Sequence, residues 1–405
     1  MEWKEVTLGE VSSKIGDGLH GTPKYDDEGS YYFINGNNLN CGKIIIKDDT
    51  KRVGIEEFVK NQKELNEQTI LVSINGTIGN VAKYNNEPCI LGKSACYINV
   101  IKEVDKEFIY YILTSANFKR NITNEATGTT IKNVSLKQMR EYKFNIPCNL
   151  ADQRRIASIL SSLDRKIELN NKINADLEEM AQAIFKNWFV DFEPFKGGKF
   201  VDSELGMIPE GWKVGTIGDI VEFQNGFAFS SKDFSENGEY KIITIKSVQD
   251  GCLVTDGSSK VTEYPTKMPA YCKLQSGDIL LSLTGNVGRC CLVTETNLLL
   301  NQRVAKIKAK ECYDNSFSYA LFRLKETKEL LISISRGTAQ ANLSPVEASK
   351  LPMVIPSEDA RKSFSMISDS IMNKIISIHI ENSRLSLLRN TLLPRLMSGE
   401  LEVPE

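Results

Sequence analysis

Two long stretches of the chain repeat apolar residues at alternating steps of four and three, which is the spacing of the core positions of a coiled coil. Each stretch spans about 40 residues. The pattern predicts two long helices that pair with each other within the chain in an antiparallel coiled coil. In the first stretch the core positions are Ile156, Leu160, Leu163, Ile167, Asn170, Asn174, Leu177, Ala181, Ile184 and Trp188. In the second they are Ile371, Ile375, Ile378, Asn382, Leu385, Arg389, Leu392 and Leu396.

Polar residues interrupt these apolar cores. Buried Asn174 and Asn382 are expected to fix the pairing register at some loss of stability. The alternative is that each helix packs on its own globular domain. A heptad phase that is kept over some 30 residues favours the extended pair.

Each helical stretch follows a globular portion of about 150 residues, in which short β-rich runs alternate with turn signals and helical segments. Residues 69–74 and 278–283 are matched β-rich runs. The two portions are copies at a constant offset of 209 residues, so we expect mixed α/β domains with a pseudo-twofold internal repeat. The offset relates Trp3 to Trp212, Gly9 to Gly218, Tyr31 to Tyr240, Gly42 to Gly251, Gly76 to Gly285, Gly79 to Gly288, Phe108 to Phe317, Gly128 to Gly337, Asn133 to Asn342 and Pro147 to Pro356.

The repeat and a linker rich in proline and glycine between the two halves set the predicted domain boundaries. They are a first globular domain at 1–149, a central helix at 150–190, a linker at 191–211, a second globular domain at 212–357, a distal helix at 358–398 and a tail at 399–405.

The composition is that of an ordinary globular protein, with 41% apolar and 25% charged residues. No apolar run approaches the roughly 18 residues that span a bilayer, and the N-terminus lacks a secretory apolar stretch, so we expect a cytoplasmic location. The 50 Lys and Arg residues nearly balance the 52 Asp and Glu residues. This balance argues mildly against a nucleic-acid binder, unless positive charge is concentrated on one face.

Signatures of catalysis and of metal binding are missing from the sequence. The nine cysteines have no paired spacing and only two histidines are present, so we expect no metal site and reduced, mostly buried thiols. There is no Asn-Pro-Pro-aromatic motif of amino methylation and no glycine-rich nucleotide loop. Glu178 and Glu179 fall on the exposed side of the helical pattern, where we expect solvated carboxylates. The chain is therefore predicted to be non-catalytic.

Two polar loops at equivalent positions, residues 128–133 and 337–342, are the leading candidates for a binding surface. Each loop leads into a helix start. Ser135 with Gln138 and Ser344 with Glu347 have capping-box spacing, and Pro345 occupies the favoured first helical position. A glycine-led loop that runs into a helix N-terminus suits a phosphate oxygen. The alternative is a surface loop that merely caps a helix.

The flanks of the two loops match, whereas their polar contents differ, as Lys132 and Gln340 illustrate. Amide side chains suit adenine, and basic ones suit guanine or phosphate. The difference is therefore typical of two loops that recognise different DNA sequences. The candidate DNA contacts are Thr129, Thr130, Lys132 and Asn133 in the first loop and Thr338, Gln340 and Asn342 in the second.

Further polar residues occupy matched positions elsewhere in the two halves, where they are either additional DNA contacts or plain turn residues. They are Asn75 and Thr77 with Thr284 and Asn286; Asn35, Asn37 and Asn38 with Thr244, Lys246 and Ser247; and Lys93 with Gln302 and Arg303.

Over essentially its whole length the chain resembles the specificity subunit of type I restriction–modification systems. The resemblance is carried by residues 150–156 through 187–189, by the linker at 205–212 and by the two loops. It implies two target-recognition domains, each reading one half of an interrupted double-stranded DNA target, joined by antiparallel spacer helices. It also implies two DNA methyltransferase subunits and restriction-translocase subunits as partners, which would carry S-adenosylmethionine, ATP and magnesium.

Two other classes of function stay open on the sequence alone. A fused or stand-alone nuclease or methyltransferase would require catalytic motifs that the sequence lacks. A coiled-coil interaction protein with two non-DNA ligand-binding domains would have no effect on genomic methylation. Site-specific adenine methylation by the chain with its cognate methyltransferase separates the three classes.

Overall fold

The computed structural model describes residues 1–126, 132–337 and 341–403. The chain forms two compact units. Unit 1 comprises residues 1–166 and 385–405, and unit 2 comprises residues 167–384. Each unit therefore combines one globular portion with one end of each long helix.

The globular portion of unit 1 consists of short strands and short helices. Its strands are β1 (Trp3–Thr7), β2 (Ser12–Asp17), β3 (Tyr31–Ile34), β4 (Leu39–Asn40), β5 (Lys43–Ile44), β6 (Arg52–Val53), β7 (Thr69–Ser73), β8 (Val81–Lys83), β9 (Cys89–Leu91), β10 (Ala95–Val100) and β11 (Lys143–Pro147). Its helices are α1 (Ile55–Asn61), α2 (Lys106–Thr114), α3 (Ala116–Glu125) and α4 (Leu136–Glu141), followed by the long helix α5 (Leu150–Phe189), which continues into unit 2.

Aliphatic and β-branched residues form the central strand β7, whose five residues are all buried. A four-stranded sheet has the order β2-β10-β7-β8, and a three-stranded sheet has the order β6-β3-β9 with β3 and β9 parallel. Strands β1 and β11 pair antiparallel and bring the two ends of the globular portion together.

Unit 2 repeats this arrangement. Its strands are β12 (Phe200–Val201), β13 (Ile208–Pro209), β14 (Lys213–Thr216), β15 (Val221–Asn225), β16 (Tyr240–Ile243), β17 (Lys260–Val261), β18 (Lys273–Leu274), β19 (Ile279–Ser282), β20 (Cys290–Leu292), β21 (Leu298–Leu300), β22 (Val304–Ala309) and β23 (Pro352–Ile355). Its helices are α6 (Ile217–Ile220), α7 (Asn315–Arg323), α8 (Lys325–Ser333), α9 (Pro345–Ser349) and the long α10 (Glu358–Met397), which continues into unit 1.

The strand registers of the two units agree with the predicted repeat. The parallel pair β3–β9 sets Phe33 opposite Ile90, and β16–β21 sets Ile242 opposite Leu299, each partner being 209 residues further along. The sheet order β15-β22-β19-β20 likewise corresponds to β2-β10-β7-β8. The mixed α/β fold with an internal repeat is confirmed.

The long helices pack against each other within each unit. In unit 2, the side-chain nitrogen of Asn170 lies 2.8 Å from the side-chain oxygen of Asn382. The rings of Trp188 and Phe364 lie 6.1 Å apart, so the partner number falls as the number on α5 rises. The pairing is therefore antiparallel, as predicted.

In unit 1, the other ends of the two helices meet in the same way. Asp164 of α5 forms an ion pair of 2.7 Å with Arg389 of α10. Ile156 and Leu160 share an apolar core with Leu396 of α10 and with the globular portion of unit 1. The alternative, in which each helix packs only on its own globular domain, does not describe the structure.

The expectation that Glu178 is solvated is wrong, whereas Glu179 is exposed as expected. Glu178 accepts a hydrogen bond from the Tyr319 hydroxyl and lies 3.2 Å from Nε of Arg323, and its side chain is only 15% exposed. Tyr319 and Arg323 belong to α7 of the globular portion, which covers this side of α5. Heptad spacing predicts that a second long helix packs against α5, but it does not predict that α7 of the globular portion packs there as well.

No helix within the described residues combines the length and the apolar character that crossing a bilayer requires.

Candidate nucleic-acid interface

Strand β7 of unit 1 ends in a tight turn whose shape is fixed by one serine. The Ser73 hydroxyl donates to the backbone carbonyl of Thr77 and accepts from the backbone N–H of Asn80 at 2.9 Å. Gly76 has a φ of 73°, a conformation that favours glycine. The turn thereby presents Asn75, which is half-buried, and Thr77, which is exposed.

A segment distant in sequence pairs with this turn. The backbone N–H of Val134 donates to the carbonyl of Ile74 at 2.9 Å, and Asn133 forms an antiparallel β-bridge with Asn75. Lys132, next along the segment, is exposed. Two of the polar sets predicted from the sequence are therefore neighbours in the fold.

A third segment joins the same place. The N–H of Ile74 donates to the carbonyl of Ser94 at 3.0 Å, and the Ser94 hydroxyl donates to the side chain of Asn35 at 3.0 Å. Lys93 and Asn37 are exposed beside these bonds in sequence. We call the resulting surface edge 1; it consists of Asn35, Asn37, Asn75, Thr77, Lys93, Lys132 and Asn133.

The same backbone bonds recur in unit 2. The N–H of Leu343 donates to the carbonyl of Leu283 at 2.7 Å, and the N–H of Leu283 donates to the carbonyl of Arg303 at 3.0 Å. Thr284 and Asn342 form a β-bridge, and the Thr284 hydroxyl donates to the Asn342 side-chain oxygen at 2.9 Å. The two loop predictions thus converge on equivalent turns.

Strand β16 brings the remaining candidates of unit 2 to this turn. The N–H of Asn301 donates to the carbonyl of Ile243 at 3.1 Å, which sets Thr244 next to the segment that carries Gln302. We call this surface edge 2; it consists of Thr244, Lys246, Asn286, Gln302, Arg303 and Asn342.

The register corrects one comparison made from the sequence. The carbonyl of Lys132 accepts from the N–H of Gly76 at 3.4 Å, and that of Ala341 accepts from the N–H of Gly285 at 2.9 Å. The counterpart of Lys132 is therefore Ala341 and not Gln340. At this position, edge 1 carries a cation where unit 2 has a methyl group.

Three of the proposed contacts have internal partners instead of open surface. Asn38 is 5% exposed; it donates to the carbonyl of Ile45 at 3.0 Å and accepts from the N–H of Asn35 at 3.0 Å. Ser247 is 3% exposed and accepts from the N–H of Thr244 at 3.3 Å. Thr284 is 8% exposed, and its hydroxyl donates to Asn342. All three residues hold the shape of their turns, so we leave them out of the edges.

The helix starts after the two loops are capped by their own side chains. Ser135 and Gln138 form the predicted reciprocal capping box. Ser344 accepts from the N–H of Glu347, but the Glu347 carboxylate pairs with Arg336 instead of completing the box. Helices α4 and α9 are one or two turns long and already capped, so we place no phosphate there. The candidates Thr129, Thr130, Thr338 and Gln340 lie outside the described residues.

Exposed cations accompany the amides and hydroxyls of both edges. Lys93 and Lys132 in unit 1 and Lys246 and Arg303 in unit 2 are all exposed. None of the four forms an ion pair with a described residue. Their charge is therefore available to an anionic ligand.

The buried cysteines behave as apolar side chains. Burial raises the pKa of the Cys89 thiol to about 12 and raises the pKa of Cys96, Cys290 and Cys291 further. Within the described part of the chain, no group of three or more His, Cys, Asp or Glu side chains is arranged to hold a metal ion.

Sequence reasoning missed the serines that build the two edges. Ser73 and Ser282 bond the same atoms of their turns and lie 209 residues apart, so the repeat could have identified them. Ser94 links Asn35 to the turn, but Arg303 occupies its position in unit 2. No repeat signal could therefore have found Ser94.

Comparison with known proteins agrees with this architecture. The family model described as "Type I restriction modification DNA specificity domain" matches the chain twice, at residues 1–179 and 209–385. A solved type I restriction–modification S subunit from M. genitalium superposes with a TM-score of 0.58 at 20% identity, covering 98% of this chain and 96% of that one, and it supports the fold.

Curated relatives extend along most of the chain. The MjaIX type I restriction enzyme specificity subunit of Methanocaldococcus jannaschii is 27% identical, covering 95% of this chain and 87% of its own. The HindI type I restriction enzyme specificity subunit of Haemophilus influenzae is 25% identical, covering 73% and 77%. With two family matches that span most of its length, the chain belongs to the type I restriction–modification DNA specificity family.

Proposed function

We propose that this chain is the DNA specificity subunit of a type I restriction–modification complex, with each unit recognising one half of an interrupted, asymmetric target in double-stranded DNA. One observation carries the proposal. The same three segments meet through the same backbone bonds in both units, yet the side chains at the resulting edges differ. A repeated scaffold with different contacts is what a two-part, asymmetric target requires.

The side chains of the edges suit base edges and phosphates. Edge 1 is rich in amides, which pair with adenine, and carries two lysines. Edge 2 carries Arg303, which suits guanine, together with the Thr244 hydroxyl and the amides of Asn286, Gln302 and Asn342.

The length of the long helices is compatible with separated half-sites. Helix α5 has 40 residues, which corresponds to about 60 Å at 1.5 Å per residue. Sites on one face of B-form DNA recur about every 34 Å. We infer that the antiparallel pair determines which spacing is accepted.

The chain supplies specificity to enzymes that act with it. We propose that two DNA methyltransferase subunits dock on it, joined by restriction-translocase subunits for cleavage, and that these partners bind S-adenosylmethionine, ATP and magnesium. Such a complex would act in the cytoplasm, where the chromosome is accessible. The chain's part is to select the DNA.

Mapping of methylated adenines tests this proposal. The chain is co-expressed with its cognate methyltransferase in a host that lacks other adenine methyltransferases. We expect a single interrupted motif that depends on the chain. A continuous motif, or a methylation pattern unchanged by deleting the chain, contradicts the proposal; the second result would favour an interaction protein with non-DNA ligands.

Paired variants assign each edge to a half-site. Lys132→Ala with Asn133→Ala should relax one half of the motif, and Arg303→Ala with Asn342→Ala should relax the other, since each wrong base costs about 1–3 kcal/mol. Exposed residues away from the edges, changed as Lys60→Ala and Glu326→Ala, should leave the motif intact. If both edge variants relax the same half, the assignment of one edge per half-site is wrong.

A further inference from the structure

Helix α3 of unit 1 presents two cations on an exposed surface. Phe118 and Ile122, one turn apart, are buried and anchor the helix to the core. Lys119 and Arg120 are exposed. Neither forms an ion pair or hydrogen bond with the side chains that the structure describes, and the one carboxylate of α3, Glu125, is the last residue of the helix. Among the described side chains, the two cations of α3 therefore have no anionic partner.

The helix adjoins edge 1. A Cβ atom placed on Gly79 would lie 3.4 Å from Cγ of Lys119, so the aliphatic stem of this lysine packs on the turn. The same turn carries Asn75 and Thr77 at its tip. Lys119 therefore lies at the flank of the surface that we assign to DNA.

The equivalent lysine in unit 2 is neutralised. Lys328, which lies 209 residues after Lys119, packs on Gly288 in the same way, since a Cβ atom placed on that glycine would lie 3.1 Å from Cγ of Lys328. Its ammonium group forms an ion pair with Asp250, and Asp250 also lies 3.5 Å from Arg323. Unit 2 thus keeps the position of the cation but cancels its charge.

The next position along the helix differs in the same direction. Arg120 corresponds to Glu329, which lies 3.7 Å from Lys325 one turn earlier. A cation in unit 1 is therefore replaced by an anion in unit 2. The two changes together make the flank of edge 1 cationic and the flank of edge 2 nearly neutral.

A groove of about 780 Å³ in unit 1 extends this cationic flank. It runs between α3, β11 and the end of α10, and Lys119 and Arg120 line it together with the amides of Asn117 and Asn124. Amide and guanidinium groups are common donors to the sugar–phosphate backbone. The lining therefore suits an extended polyanion.

We propose that α3 of unit 1 binds the phosphate backbone of the DNA flanking the half-site that edge 1 recognises, and that unit 2 has no equivalent grip. This inference rests on the proposed function. It makes the two units unequal: unit 1 contributes more of the salt-dependent, sequence-independent affinity. Unit 2 relies more on its base contacts.

The salt dependence of binding measures these phosphate contacts directly, because each contact adds about 0.9 to the slope of log affinity against log salt. The full chain is titrated into a fluorescent duplex of random sequence between about 50 and 200 mM KCl. For Lys119→Gln with Arg120→Gln we expect the slope to fall by about two and the salt-induced loss of affinity over this range to shrink about tenfold. Circular dichroism melting checks that the variant is folded.

Unit 2 provides matched controls. Lys328→Gln should leave the slope unchanged, because the ammonium group is already paired. Asp250→Asn should release Lys328 and steepen the slope by up to about one. An unchanged slope in the α3 variant, or an equal fall in Lys328→Gln, overturns the inference while leaving DNA binding itself in place. A wild-type chain that binds no duplex, alone or with its methyltransferase, contradicts the proposed function and the inference with it.

Discussion

Replacing Asn174 with leucine should stabilise unit 2, although the residue is buried and polar. Asn174 is 5% exposed at a core position of α5, and neither its side-chain nitrogen nor its side-chain oxygen has a hydrogen-bond partner among the residues that the structure describes. Leaving such a group without a partner costs about 1–3 kcal/mol. Leucine has a similar volume and removes this cost.

Asn170, one turn earlier on the same helix, is the matched comparison. It is 1% exposed, and its side-chain nitrogen donates to Asn382 and to Glu381, both at 2.8 Å. Asn170→Leu gains the same apolar surface but leaves the Asn382 oxygen without its donor. The difference in the free energy of unfolding between the two variants therefore isolates the hydrogen bonds, and we expect Asn174→Leu to exceed Asn170→Leu by at least about 2 kcal/mol.

Thermal and urea denaturation of the full chain measures both variants. For a unit of about 200 residues, each kcal/mol shifts the melting temperature by roughly 2–4 °C. Asn174→Leu should melt above the wild type and Asn170→Leu below it. Equal destabilisation by both substitutions would refute the reasoning, because it would mean that the Asn174 amide contributes as much as a hydrogen-bonded one.

Three further predictions concern titratable groups. Burial raises the pKa of Asp314, which is 1% exposed and ion-paired with Arg361; Arg361→Gln should therefore cost about 3–5 kcal/mol at neutral pH. This cost should shrink as the pH falls and Asp314 takes up a proton, and a pH-independent cost would contradict it. Burial lowers the pKa of His379 from 6.5, against an opposing effect of Glu178. The free energy of unfolding should therefore decline as the pH falls below 6.5, and it should decline less in His379→Leu. Identical pH profiles of the wild type and the variant would exclude this role. Because burial suppresses formation of the thiolate, an aromatic disulfide reagent should label only the four exposed thiols quickly. Fast labelling of a fifth cysteine would show that the buried thiols are accessible to the reagent. The exposed thiols are Cys41, Cys148, Cys252 and Cys312, of which Cys252 should react more slowly because burial of its sulfur raises its pKa.

Local patterns predicted the elements of the fold well. The 209-residue repeat identified corresponding residues, and the strand registers of β7–β8 and β19–β20 follow it. Heptad spacing predicted the long helices and their mutual packing, because a single apolar stripe needs one partner. It could not predict that the globular portion covers Glu178, since that contact depends on tertiary packing.

The candidate sites were harder to predict because they form from segments far apart in sequence. The sequence named the polar positions but not that Asn133, Asn75 and Asn35 are linked through Ser94 and the turn after β7. It also could not distinguish surface amides from internal ones. Asn37 and Asn38 are adjacent asparagines that the sequence does not distinguish. In the structure Asn38 is buried, and its side chain donates a hydrogen bond to the carbonyl of Ile45.

The central claim is that each unit recognises one half of the DNA target. The most direct test is to map which half-site each edge contacts. A photo-crosslinking amino acid is placed at Thr77 or at Asn286, the exposed tips of the two turns, and the complex with its methyltransferase is irradiated on a duplex that carries the mapped motif. We predict crosslinks from position 77 to one half-site and from position 286 to the other. Crosslinks from both positions to the same half-site, or from neither position to the motif, would contradict the account.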